Sequence, residues 1–154
     1  VLSYAALLIQ FYPSPSRLLS LIDPLLMFGI LLRCLNAYQD PNYLSTCPRT
    51  INDELRMTRS INDMYLSPLL ADADTLKQFP RTVIIASDFD PCLDENVMFS
   101  SKLHDAGVDV RMEIVPGMPH GFLAFAQMSQ ECQLGVDHVT RKIADLVKRM
   151  TKKH

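Results

Sequence analysis

The strongest constraint on the fold is a spacing. TVIIAS at residues 82–87 is a short β-branched run preceded by Pro80, and DVRMEIV at 109–115 alternates polar and apolar residues. The first pattern predicts a strand buried on both faces; the second predicts a strand covered on one. Between them, residues 94–106 read as a helix, with Asp94 expected to cap it, carboxylates in its first turn and Gly107 where it should stop. Strand, helix, strand with a crossover of this length predicts a right-handed βαβ unit of parallel strands. Both strands then end on one sheet edge. Ligands of such sheets bind beyond the carboxyl ends of the strands, which is where residues 88–94 and 118–122 fall.

The rest of the chain is expected to complete one α/β unit, since 154 residues suffice for one core and not comfortably for two. LSYAALLIQF, residues 2–11, reads as a buried strand that stops at the turn-forming YPSPS. Residues 17–38 read as helical with a break near Pro24, apolar nearly all round, as suits a cover over a greasy site. Residues 39–64 turn polar and lose periodicity, the pattern of a connection. Residues 65–154 hold the strand–helix–strand unit, a turn at Pro116 and Gly117, and a closing amphipathic helix over 135–150 with Val136, Val139, Ile143, Leu146, Val147 and Met150 on one stripe.

Charge and cysteine usage narrow the partners. A net charge of −2 argues against nucleic acid, and the basic KRMTKKH of 148–154 reads as a solvated tail. Cys34, Cys47, Cys92 and Cys132 show neither a CxxC pair nor metal-like spacing with histidine, so reduced thiols of a cytoplasmic protein are expected, with no metal and no organic cofactor. The most apolar stretch, 19–35, is interrupted by Asp23, Pro24 and Arg33, and falls short of the roughly 20 residues of a bilayer crossing. The chain opens VLSYAALLIQ, without an initiating Met or a basic segment before the apolar one, so it is expected to be a piece of something longer and gives no support for a signal peptide.

Two loops carry the chemistry. SDFDPCLDE, residues 87–95, offers four carboxylates, and PHGF, residues 119–122, offers a histidine at the matching position after the next strand. An imidazole backed by a carboxylate can take a proton and return it near neutral pH, so Asp90 and His120 are the expected second and third members of a Ser, Asp, His hydrolase triad. Asp90 is preferred because it follows the strand directly and is stiffened by Pro91, whereas Asp94 and Glu95 belong to a helix start; Asp88 is the second choice. Taken singly, an Asp-Pro is a common turn and a His-Gly a common loop.

YLSPLLA at 65–71, VIIASDFDPCLDENVMF at 83–99, GMPHGF at 117–122 and SPSRLLSLIDPLL at 14–26 together resemble the hormone-sensitive lipase family of α/β-hydrolase esterases and lipases. The resemblance implies the carboxyl-terminal part of an α/β-hydrolase fold, catalytic roles for Asp90 and His120, a lipid ester such as an acylglycerol as substrate, and association with lipid droplets or membrane surfaces. It also implies a G-x-S-x-G nucleophile elbow and an HGG-type oxyanion loop, and neither occurs within the 154 residues: the only glycines four apart, Gly117 and Gly121, flank Pro119. The chain by itself is therefore expected to be inactive. The family's phosphorylated insertion would fall at 39–64, where RMTRS sets Thr58 and Ser60 among basic residues, but the stretch is short for hormone-type regulation. Two other readings stand beside this one. IIASDFDPCL resembles the opening of haloacid-dehalogenase-type phosphatases, with Asp88 as nucleophile, Asp90 as acid and magnesium between them, although Pro91 and Cys92 replace the small residues expected there. A truncated product that binds a partner or lipid surface without turnover is the other.

Overall fold

The computed structural model describes residues 1–8, 13–23, 26–39 and 63–151. Three parallel strands form one sheet: β1 (Leu2–Ser3), β2 (Thr82–Phe89) and β3 (Val110–Pro119), with β2 in the middle. Around them lie α1 (Pro15–Leu18), a 3₁₀ turn Leu19–Leu21, α2 (Phe28–Gln39), a 3₁₀ turn Pro68–Leu70, α3 (Ala73–Leu76), α4 (Leu93–Asp105), a 3₁₀ turn Phe122–Phe125 and α5 (Gln130–Thr151). Among the described residues no helix is long and apolar enough to cross a membrane.

The central strand explains both layers. Successive side chains of a strand point to opposite faces, and in β2 this sends Ile84 into one cluster with Leu7, Leu69, Leu76, Phe99 and Leu103. Val83 and Ile85 go to the other face, against Val115, Met118, Phe122, Cys132 and Val139. Helix α4 covers the first face and α5 the second, so β2 is sandwiched. Ile84, Ile85, Phe99, Leu103 and Phe122 are all at most 1% exposed, each contributing about 1.5–3 kcal/mol by burial. As expected, the 82–87 run is buried throughout and α4 stops short of Gly107, which follows its cap Ala106 with a φ of +84°, the left-handed stop that glycine takes without strain.

Several expectations are corrected. Among the described residues 1–8, the first strand covers only Leu2–Ser3, not the run expected from residue 2 onward: Tyr4 still donates its N–H to the Ile85 carbonyl at 2.8 Å, but takes a positive φ of 35° and turns out of the ladder. Beyond it the backbone finds partners elsewhere, the Ala5 carbonyl on the Asn96 amide at 2.8 Å and the Leu7 carbonyl on the Leu69 N–H at 3.0 Å. Helix α4 starts at Leu93 with Cys92 as the capping position, not Asp94, because the turn at Asp90 is already wound: Leu93 N–H donates to the Asp90 carbonyl at 3.0 Å. Pro116 and Gly117 do not end β3. Register runs from Ser87↔Val115 to Phe89↔Pro119, so two steps on β2 face four on β3; the surplus bulges at a proline without an N–H and a glycine at φ +70°. The closing helix begins at Gln130, and of its expected stripe Val139 is buried while Val147 is 53% exposed. Residues 17–38 divide into α1, a 3₁₀ turn and α2, with helix absent at Asp23, Leu26 and Met27 around the expected break. Residues 40–62, with Thr58, Ser60 and most of the polar connection, lie outside the described residues, as do 9–12, 24–25 and 152–154.

Gly135 shows how tightly α5 seats on the second core. A Cβ there would stand 3.0 Å from the Phe122 ring and 3.1 Å from the Met118 sulfur. Alanine gains roughly 1 kcal/mol in helix propensity over glycine, whereas overpacking a core costs about 1–3 kcal/mol. Because the Phe122 ring is fully buried and has nowhere to go, Gly135→Ala should destabilise the fold by about 1 kcal/mol and Gly135→Val by more, measured by urea denaturation; a gain in stability for both would contradict this packing.

Candidate active site

Asp90 leaves the carboxyl end of β2 and His120 that of β3, and the parallel register brings them together: Asp90 Oδ1 lies 2.9 Å from His120 Nδ1. The same oxygen accepts the Cys92 N–H at 2.7 Å. That second bond fixes the carboxylate against its own loop. Asp90 is fully buried, while the His120 side chain is 26% exposed, so the acid is sheltered and the base opens to solvent. The histidine is held from below as well. Immediately after it, Gly121 takes a left-handed φ of +76°, reversing the chain so that Phe122 drops into the core at 0% exposure. The Tyr4 ring stands 5.1 Å from the imidazole, tilted to it, and 6.0 Å from Phe122, edge to face. Phe122 and Leu123 therefore pack beneath the histidine loop as core.

The electrostatics favour a protonatable histidine. Burial pulls the His120 pKa down, but the hydrogen bond and charge of Asp90, aided by Asp23 and Glu95, outweigh it and leave the pKa above its ordinary value. The opposite carboxylate oxygen, Asp90 Oδ2, is buried with no hydrogen-bond partner among the described residues. Asp88, the second choice, does not join this pair: its Oδ1 is buried and makes no hydrogen bond there. The phosphatase reading needs Asp88 and Asp90 as joint cation ligands, and among the described residues Asp90 groups instead with Cys92 and His120. A second acid–imidazole pair shows that such a contact alone does not define a site. His138 Nε2 lies 2.8 Å from Glu113 Oε1, but Lys142 shares that oxygen at 2.9 Å, and the hydrogen bond from Lys142 above all holds Glu113 below its usual range. This is a half-exposed ion cluster midway along β3.

Sequence reasoning did not identify what braces the Asp90 loop. Ser16, in α1, donates its N–H to Asp94 Oδ2 at 2.7 Å and its hydroxyl to the Pro91 carbonyl at 3.0 Å, while accepting the Asp94 N–H at 3.1 Å. Arg17 meets Glu95 Oε2 at 3.0 Å, with 2% and 4% exposure, and also donates to the Leu8 carbonyl. Burial lifts the Glu95 carboxyl above its usual range, and the guanidinium offsets only part of that. Such a pair adds little net stability, but removing one member strands the other and costs about 3–5 kcal/mol. The signal available in sequence was the SPSR cap, in which Ser14 Oγ accepts the Arg17 N–H at 3.3 Å; nothing in it names a partner 78 residues away.

Beside the pair, Leu19, Ile22, Asp23, Phe89, Gly117 and Pro119 line an open hollow of about 290 Å³. Phe89 precedes Asp90 and Pro119 precedes His120, so the hollow adjoins the histidine. Leu19 and Ile22 come from the segment expected to be an apolar cover.

A parallel sheet with an acid and a histidine on successive strand ends is the frame of a hydrolase, and comparison agrees. The family model described as the alpha/beta hydrolase fold matches residues 35–124, and the chain belongs to that family. Among curated relatives, it is 35% identical over 83 residues to the hormone-sensitive lipase of Mus musculus, covering 54% of this chain and 11% of that protein. Arylacetamide deacetylase of Bos taurus is 40% identical over 65 residues, 42% of this chain and 16% of that protein. The chain thus spans only a small part of the length of these relatives. Two solved structures share the fold. Carboxyl esterase 2 of the fungus Tuber melanosporum superposes with a TM-score of 0.69 at 20% identity, over 91% of this chain and 41% of that one. Brefeldin A esterase, titled a bacterial homologue of human hormone-sensitive lipase, does so with a TM-score of 0.68 at 22% identity, over 94% of this chain and 37% of that one.

The raised histidine pKa carries a stability consequence of definite sign. A folded pKa above the unfolded value, about 6.5, means that protonated His120 stabilises the fold fully below that value and that the contribution is lost as pH rises through the folded pKa. The stability difference between parent and His120→Gln, from urea denaturation at about pH 5 to about pH 9, should therefore shrink as pH rises. A difference that grows with pH would contradict the assigned pairing.

Proposed function

We propose that this chain carries the acid and the base of a Ser, Asp, His triad that hydrolyses carboxylic esters with apolar acyl groups, of the kind that the name hormone-sensitive lipase denotes. The observation that carries this reading is the 2.9 Å contact between Asp90 Oδ1 and His120 Nδ1 at the carboxyl ends of adjacent parallel strands. With Asp90 accepting from Nδ1–H, Nε2 is left with its lone pair available. It takes the proton of a serine hydroxyl as that oxygen attacks the ester carbonyl, then delivers it to the departing alcohol; a water repeats the cycle to release the acid. The buried carboxylate holds the imidazole in this tautomer and steadies the imidazolium between the two transfers, which is also why the histidine pKa is raised.

The nucleophile and the oxyanion donors come, on this reading, from outside these 154 residues, because no G-x-S-x-G occurs within them. The hollow lined by Leu19, Ile22, Phe89 and Pro119 is suited to the acyl chain. Leu18, Leu21, Ile22 and Met27, all at least 52% exposed, would meet a lipid surface around it, in keeping with work on lipid droplets in the cytoplasm.

The 154-residue chain alone should hydrolyse a p-nitrophenyl ester no faster than free imidazole does. The longer polypeptide containing it should turn the ester over, and His120→Ala should lower kcat by a factor on the order of 10⁴ or more, as loss of one triad member does in serine hydrolases. Equal rates for the longer parent and its His120→Ala variant would end the assignment.

A further inference from the structure

Spacing along the chain hides a second property of the Asp90 loop. We propose that Asp90, Cys92 and His120 form a binding site for a soft divalent cation, zinc or cadmium, and that the bound ion inhibits by capturing the histidine in the wrong tautomer. The inhibition clause rests on the role given to His120 above; the binding does not.

One donor atom from each of the three residues lies within 4.8 Å of the others. A carboxylate oxygen, an imidazole nitrogen and a thiol sulfur are the donor set that zinc and cadmium take in preference to magnesium or calcium. Donors about 2.1 and 2.3 Å from a tetrahedral ion stand roughly 3.3–3.8 Å apart, so side-chain movements of about 1 Å close the set. Asp90 Oδ2 supplies an independent sign. It is buried with no hydrogen-bond partner among the described residues, a condition that costs about 1–3 kcal/mol and that a cation relieves. His120, 26% exposed, gives the site its opening to solvent. Of the nearby charges, Arg17 opposes a cation while Glu95 and Asp23 favour it, and Arg17 is largely neutralised by its contact with Glu95.

The balance involves no redox step. Burial and the neighbouring Glu95 and Asp90 carboxylates push the Cys92 thiol well up, so it is protonated when no ion is bound; the cation bonds to sulfur in exchange for that proton, which passes to solvent at the His120 opening. The cation bonds to Nδ1, the ring nitrogen nearest Asp90, and the neutral imidazole then carries its single proton on Nε2. An Nε2 that bears hydrogen has no lone pair to accept a proton from a nucleophile. The ion thus disables the base and takes up the carboxylate that had oriented it.

Cadmium titrated into the chain, in a Cys34→Ser, Cys47→Ser background, should produce a thiolate-to-metal charge-transfer band in the ultraviolet. Cys92→Ser should abolish the band and weaken cadmium binding at least tenfold. A band and affinity unchanged in Cys92→Ser would overturn the proposal. The second measurement needs no variant of the site: imidazole nitrogen NMR of the parent chain should show the His120 proton on Nε2 once cadmium is bound, and a proton retained on Nδ1 would equally overturn it. Neither readout involves ester hydrolysis, so a failure here leaves the hydrolase reading standing.

Discussion

The hydrogen bond between Asp90 and His120 exists because two strands run parallel and end level. Parallel pairing of β2 with β3 places the residues that follow them on one sheet edge, and the bulge at Pro116 and Gly117 brings Pro119, not Val115, opposite Phe89. Without those surplus residues the histidine would follow a strand end set back from Asp90. The site is thus a consequence of register. The cores on both faces of β2 hold that register in place, one under α4 and one under α5.

The acid loop needs a brace of its own, since burying a carboxylate costs solvation and a loop is free to relax back toward water. Three bonds from Ser16 and the buried Arg17–Glu95 pair tie the loop to α1, a short helix distant in sequence. The segment that braces the acid also supplies Leu19 and Ile22 to the hollow beside the histidine. One stretch of chain therefore holds the Asp90 loop in place and lines the hollow beside His120. This coupling explains why a charged arginine sits buried next to some of the most apolar residues of the protein.

Much of this was legible in the sequence wherever burial imposed a pattern. TVIIAS had to be buried on both sides, Gly107 had to stop a helix, and Asp90 and His120 had to follow parallel strands. What was not legible depended on partners distant in sequence. Nothing in LSYAALLIQF reveals that Asn96 and Leu69 take up its carbonyls and stop a strand after two residues. Pro116 and Gly117 carry turn chemistry, but β2 was already long enough to keep β3 extended past them. Asp94 looked like a cap because capping is judged locally, whereas the Asp90 turn had already started the helix. Cys92 showed no metal-like spacing because its nearness to His120 arises only across the sheet edge.

The central claim, that a buried acid governs this imidazole, can be read directly from the ring protons of His120 by NMR across a pH titration. In the parent chain the ring should titrate above the usual histidine value of about 6.5, and in Asp90→Asn, where burial remains but the charge is gone, it should titrate below it. A histidine that titrates at the same pH in both proteins would show that the two residues do not act together, and the account would fail.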